Sequence, residues 1–139
     1  MQGAGPGDTV LVQGSGGVSL FALQLARAAG ARVIATTSSE KKAVRLRELG
    51  ASDVINYVDT PDWGAEVRKL TDDQGADVIV EVGGAGTMAQ SVAAIAYRGT
   101  ISLVGHLAYE EKGLNLLDFT YSGPPCAPSA AAAGATWRT

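Results

Sequence analysis

The stretch that decides the fold is "VLVQGSGGVSLFALQLARAAGARVIATTSSEKK", Val10 to Lys42. Its first residues belong to a β-branched and apolar run, Thr9 to Gln13, launched by Pro6-Gly7-Asp8. A second run, Arg32 to Thr36, is entered through Gly30. Short apolar runs bounded by glycine and proline read as buried strands. Between them Val18, Phe21, Ala22, Leu25, Ala26 and Ala29 recur at helical spacing, which predicts a helix burying that stripe and leaving Gln24 and Arg27 outward. Strand, helix and strand make one βαβ unit, with glycines at the turn from the first strand into the helix.

Outward from this unit the alternation continues. Thr37-Ser38-Ser39-Glu40 has the form of a capping box, opening a helix in which Ala43, Leu46 and Leu49 share a face until Gly50 ends it. Val54 to Tyr57 reads as a third strand. Thr60 offers an N-cap with Pro61 at the first helical position, Val67 and Leu70 face inward, and Asp73-Gln74-Gly75 closes the helix. "ADVIVEV", Ala76 to Val82, is a fourth buried strand, broken by Gly83-Gly84-Ala85-Gly86. Thr87 and Gln90 suggest another capping box, a helix runs to Tyr97, and Thr100 to Val104 is a fifth strand. Strands alternating with helices require a parallel sheet, right-handed crossovers and helices on both faces. The expected class is α/β, a Rossmann-type doubly wound sheet of five strands.

Composition narrows the function. The chain has 139 residues, 46% hydrophobic and 18% charged, which suits one core. Against 14 acidic residues stand 11 basic ones, a net charge of −3 that gives no electrostatic footprint for nucleic acid or an anionic membrane. No apolar run is long enough to span a bilayer and no signal-peptide core follows Met1, so a cytoplasmic protein is expected. The one cysteine, Cys126, and the one histidine, His106, cannot build a four-ligand zinc site. His106 follows the fifth strand and reads as a solvated loop residue. Cys126, among prolines and without a base or cation nearby, reads as incidental. Glu81 and Asp77 flank a buried strand with no partner carboxylate, so no acid/base pair is indicated.

In a doubly wound sheet, ligands bind outside the carboxyl ends of the strands, beside the first strand. The glycine turn lies there. Gly14 suits a tight turn, Gly16 lets the main chain approach a pyrophosphate, and Gly17 with Val18 leads into a helix whose first N–H groups face the phosphates. A third glycine is expected where Ser19 stands. About 20 residues after such a turn, an NAD site places an acid for the ribose hydroxyls. Here that place holds Thr36, Thr37, Ser38 and Ser39, then Lys41 and Lys42. Hydroxyls and cations suit the 2′-phosphate of NADP, which a carboxylate would repel.

With these motifs in view, "PGDTVLVQGSGGVSLFALQLARAAGARVIATTSSEKKAVRLRELGASDVINY", "TPDWGAEVRKLT", "GADVIVEVGGAGTMAQSVAAI" and "GTISLVG" resemble the cofactor-binding half of the medium-chain dehydrogenase/reductase superfamily, the zinc-type alcohol dehydrogenases and quinone oxidoreductases. The resemblance covers Pro6 to Asp118. It is nearest to NADP-dependent members whose turn reads Gly-x-Gly-Gly-Val-Ser, which makes Ser19 a subfamily trait. It implies that Ser15, Gly16, Gly17 and Val18 hold the pyrophosphate. It implies that Ser38 and Lys42 hold the 2′-phosphate, that Tyr57 closes over the adenosine end, and that Val82, Gly83, Val104 and Gly105 lie along the ribose and nicotinamide.

The resemblance further implies hydride transfer between NADP(H) and an alcohol or carbonyl substrate, with zinc, where used, held by a separate domain of the intact enzyme. Residues 1–118 are expected to be the cofactor-binding domain. Residues 119–139, "FTYSGPPCAPSAAAAGATWRT", show no strand period and none of the family's sixth strand. For this tail an in-frame irregular segment and a shifted reading frame both stay open. The chain alone is expected to bind NADP(H) without turnover and to meet substrate only together with the other domain. Its fifth strand, "TISLV", is expected to expose an edge open to self-association. Two other readings stay open: a zinc-free quinone or enoyl reductase, and a nucleotide-binding module without catalysis.

Overall fold

The computed structural model describes residues 4–104. The elements alternate throughout: β1 (Thr9–Gln13), α1 (Gly17–Ala28), β2 (Arg32–Thr37), α2 (Glu40–Glu48), β3 (Asp53–Asn56), α3 (Trp63–Leu70), β4 (Ala76–Glu81), α4 (Met88–Ala94) and β5 (Ile95–Leu103). All strand pairs are parallel, in the order β3-β2-β1-β4-β5. The chain therefore winds one way from β1 to β3 and returns across β1 to reach β4, and right-handed crossovers place the two sets of helices on opposite faces. Two cores result. Val10, Val12, Val33, Ala35, Leu23, Ala26 and Leu46 fill the side under α1 and α2. Leu11, Ile34, Ile55, Ile79, Trp63, Val67 and Ala94 fill the side under α3 and α4. This is the expected doubly wound α/β sheet, and the expected sixth-strand region lies outside the described residues. Among the described residues no helix is long and apolar enough to cross a membrane.

The strands lie close to where sequence places them, while the helices correct several expectations. On α1 the buried residues are Ser19, Leu23 and Ala26, whereas Phe21 and Leu25 of the expected inward stripe are 70% and 69% exposed. The helix is apolar on nearly every side, so spacing alone could not choose its face. At α2 the N-cap is Ser39, not Thr37; its Oγ accepts from the Lys42 N–H at 3.3 Å, and Glu40 pairs instead with Arg47 at 2.9 Å. The cap of α3 is Asp62, two residues beyond Thr60. Thr87 does precede α4, but its hydroxyl makes no cap bond and goes to Glu81 and the Gly84 carbonyl, while Gln90 Oε1 accepts from Gly64 N–H at 2.8 Å. Finally α4 stops at Ala94, not Tyr97, and β5 starts at Ile95, five residues before Thr100. A register shift between Ala76 and Val78 and a positive φ at Arg98 mark the irregular start of that strand.

Candidate functional site

The return across β1 opens a crevice at the carboxyl ends of β1 and β4, where strand order reverses. Gly14 leaves β1 with φ +73°, a conformation that favours glycine, and its N–H donates to the Thr36 carbonyl of β2 at 2.8 Å. The chain then turns back into α1 through Gly16, which caps the helix with no side-chain bond. The first intrahelical bond is Leu20 N–H to Gly16 O at 3.0 Å, so the Gly17, Val18 and Ser19 amides lie ahead of it. No acidic residue stands in that turn. A Cβ built on Gly16 or Gly17 would meet no atom of the described residues within 4 Å, so among them the space over the turn is open. Open space beside unused amides at a helix N-terminus suits a phosphate group.

Two clefts flank this turn. The larger, about 510 Å³, runs along Gln13, Gly14, Thr36, Tyr57, Trp63 and Gly83 toward the α3 side. The other, about 300 Å³, is lined by Gly16, Gly17, Val18, Ser19, Val82 and Val104 on the α1 side. Gln13, Gly14 and Val82 belong to both, so the ends of β1 and β4 form a common floor. The structure thus gathers Gly14, Gly16, Gly17, Val18, Tyr57, Val82, Gly83 and Val104 around one crevice. Gly83 must be small here, since a Cβ would run into the Thr87 side chain. Ser15, Ser38 and Lys42 line neither cleft. Ser38 is half-buried just after β2, and Lys42 is exposed in the first turn of α2. Gly105, His106 and Cys126 lie outside the described residues.

At the end of β2, Thr37 is buried, and among the described residues its Oγ1 finds no hydrogen-bond partner, although a buried hydroxyl without one is costly. Its carbonyl accepts from the Tyr57 N–H at 2.9 Å, which fixes Tyr57 beside the same end of the sheet. The acid-free α1 start, capped by Gly16 without a side-chain bond and lining one of the clefts, fits an anionic group in the crevice. Among the described residues no three His, Cys, Asp or Glu side chains gather as a metal site would require.

Several residues of this region are not recognisable from sequence pattern. Gln13 forms the floor, Trp63, Thr87 and Gln90 line the larger cleft, and Glu81 lies buried beneath it with Ser91. Ser19, where a glycine is expected, is buried and donates its hydroxyl to the Gln13 carbonyl, a use that glycine could not serve. Asp77, at the other end of β4, accepts from the Thr9 N–H at 2.7 Å and so ties β1 to β4.

Known proteins resemble this chain in sequence and in fold. The family model of zinc-binding dehydrogenases matches residues 17–138. A zinc-type alcohol dehydrogenase-like protein of Schizosaccharomyces pombe is 48% identical over 111 residues, covering 80% of this chain and 32% of that protein. A 2-haloacrylate reductase of Burkholderia is 38% identical over 102 residues, 73% of this chain and 30% of that protein. The quinone oxidoreductase of Escherichia coli, solved as a complex with NADPH, superposes with a TM-score of 0.77 at 29% identity, over 86% of this chain and 37% of that one. The chain spans about a third of the length of the curated relatives it matches. The family match also continues past Asp118 to residue 138, and so corrects the expectation that the 119–139 segment shows none of the family's pattern. The chain therefore belongs to the zinc-binding dehydrogenase family, within the medium-chain dehydrogenase/reductase superfamily, and represents its cofactor-binding domain.

Proposed function

We propose that the chain binds NADP(H) in the crevice between β1 and β4 and serves an oxidoreductase acting between NADP(H) and an alcohol or carbonyl substrate. The observation that carries this reading is the uncapped, acid-free start of α1 between two clefts that share the ends of β1 and β4. In this reading Ser15, Gly16, Gly17 and Val18 receive the pyrophosphate on backbone N–H groups. Ser38 and Lys42 receive the 2′-phosphate. Tyr57 covers the adenosine end, and Val82, Gly83, Val104 and Gly105 lie along the ribose and nicotinamide. When bound, the cofactor supplies or accepts the hydride, and these residues bind and orient it. For the 139 residues alone we propose binding without turnover, since they correspond to about a third of a relative's length. Residues 1–118 would be the cofactor domain, in a cytoplasmic protein. The likeness to quinone oxidoreductases favours a zinc-free quinone or enoyl reductase as the second reading. Cysteine and histidine ligands elsewhere in a full-length protein would decide between the two.

Calorimetric titration tests the cofactor. NADPH is expected to bind more tightly than NADH by about 1 to 3 kcal/mol, the scale of charge-assisted hydrogen bonds. Lys42→Glu should narrow or reverse that difference. Equal affinities in the parent chain would overturn the reading.

A further inference from the structure

Beneath the crevice floor lies a carboxylate that the proposed function leaves unused. Glu81, the last residue of β4, is 0% exposed, and among the described residues it has no cationic partner. Its Oε1 accepts from the Gly83 N–H at 2.9 Å, the Gly84 N–H at 3.0 Å and the Thr87 hydroxyl. Its Oε2 accepts from Gln13 Nε2 at 2.8 Å and from the Ser91 hydroxyl. Gln13 Nε2 also donates to Ser91 Oγ at 2.8 Å, and Gln13 Oε1 accepts from the Val82 and Gly83 N–H groups at 3.2 and 3.4 Å. A buried charge is tolerated only where hydrogen bonds replace its water, and here the replacements come from Gln13 at the end of β1, from Gly83, Gly84 and Thr87 between β4 and α4, and from Ser91 on α4.

We propose that Glu81 is a positioning residue for the cofactor, acting through Gln13 and the Val82–Gly84 backbone. The inference rests on reading the two clefts as the dinucleotide site. Gln13 and Val82 line both clefts, and Gly83 and Thr87 line the larger one, so the groups that Glu81 holds are those a bound dinucleotide would lie against. Without the carboxylate, the Gly83 and Gly84 N–H groups lose their common anchor, and the Gln13 side chain, which holds the Val82 N–H, loses the acceptor that orients it. Such a loss costs affinity through lost pre-organisation.

The triangle of Gln13, Glu81 and Ser91 allows a decisive exchange. With Gln13→Glu and Glu81→Gln together, the new carboxamide donates to the new carboxylate and to Ser91, Ser91 donates to the carboxylate, and the Val82, Gly83 and Gly84 amides still meet oxygen. Either change alone leaves two carboxylates or two carboxamides face to face. Calorimetry on the 139-residue chain should find NADPH bound about tenfold or more weakly by each single variant, the usual cost of one lost charged hydrogen bond, and near-parental binding in the double variant. Adenosine 2′-monophosphate, which carries the 2′-phosphate but neither the pyrophosphate nor the nicotinamide, should bind all of these proteins within about threefold, since distant sites act independently. Parental NADPH affinity in Glu81→Gln, or a double variant as weak as the singles, would overturn the inference. If Glu81→Gln does not fold, Ser91→Ala takes its place; it removes one hydroxyl and should weaken NADPH about threefold to tenfold, and parental affinity there would overturn the inference equally. If the parent chain binds no NADPH, the proposed function has failed, and amide exchange without ligand judges the network. Faster exchange at Val82, Gly83 and Gly84 in the singles with recovery in the double supports it, and unchanged exchange in the singles overturns it.

Discussion

Ser19 shows how a single position departs from a sequence pattern for a physical reason. Close packing of α1 on β1 explains why a glycine is expected there, and a side chain is tolerated because its hydroxyl reaches the Gln13 carbonyl. Ser19→Ala keeps the volume nearly unchanged and removes that donor. It should lower stability by about 1 kcal/mol, the net worth of an ordinary hydrogen bond, as measured by urea unfolding. A variant as stable as the parent would show that the carbonyl is satisfied without Ser19. The glycines of the turn were legible because only glycine takes a backbone like that of Gly14 cheaply. Gln13, Glu81 and Ser91 were not, because their bonds join residues 68 and 78 positions apart, and no local pattern announces a polar contact that only the folded sheet creates.

At the scale of elements, strands and helices differed in how plainly they could be read. Each strand of β1 to β4 is a short apolar run with glycine, proline or a charge at its ends, and its position was legible within a residue or so. The face of α1 was not, because "GVSLFALQLARA" offers two apolar faces. The structure selects the one in which small Ser19 and Ala26 flank Leu23, so that the helix settles closely on the strands, and it leaves Val18, Phe21 and Leu25 exposed. Two substitutions separate the alternatives. Leu23→Ala removes a fully buried side chain and should cost about 2 to 5 kcal/mol, whereas Leu25→Ala should change stability by no more than about 0.5 kcal/mol. The reverse order in denaturant unfolding would mean that the sequence stripe, not the observed face, meets the sheet. Capping boxes misled for a related reason. Serine, threonine and glutamine near a helix start have other possible partners, and here Thr87 and Gln90 are drawn to Glu81 and Gly64.

Across the whole molecule, the order β3-β2-β1-β4-β5 explains both the position of the crevice and the state of the sheet's rim. Alternating elements were enough to foresee a doubly wound sheet, and the switch at β1 then located the crevice before any side chain was placed. The same order leaves β5 at one rim, where among the described residues it pairs with β4 alone. The Val104 N–H donates inward to the Glu81 carbonyl at 2.9 Å. Amides alternate sides along a strand, so those of Ile101 and Leu103 face the open rim. The irregular backbone at Arg98 breaks the rim near its start, which confines the flat, pairing-competent part to Thr100–Leu103. Leu103 is half exposed there and no charge lies in the segment. Such an edge recruits another strand unless a charge discourages it. Sedimentation velocity over a concentration series should therefore show reversible self-association of the parent chain and a clear reduction in Leu103→Lys, whose added charge would have to be desolvated for two edges to meet. A parent that stays monomeric throughout would mean that this edge is already covered, and self-association unchanged by Leu103→Lys would place the contact elsewhere on the molecule, with the apolar face of Phe21 and Leu25 the next to test by the same measurement.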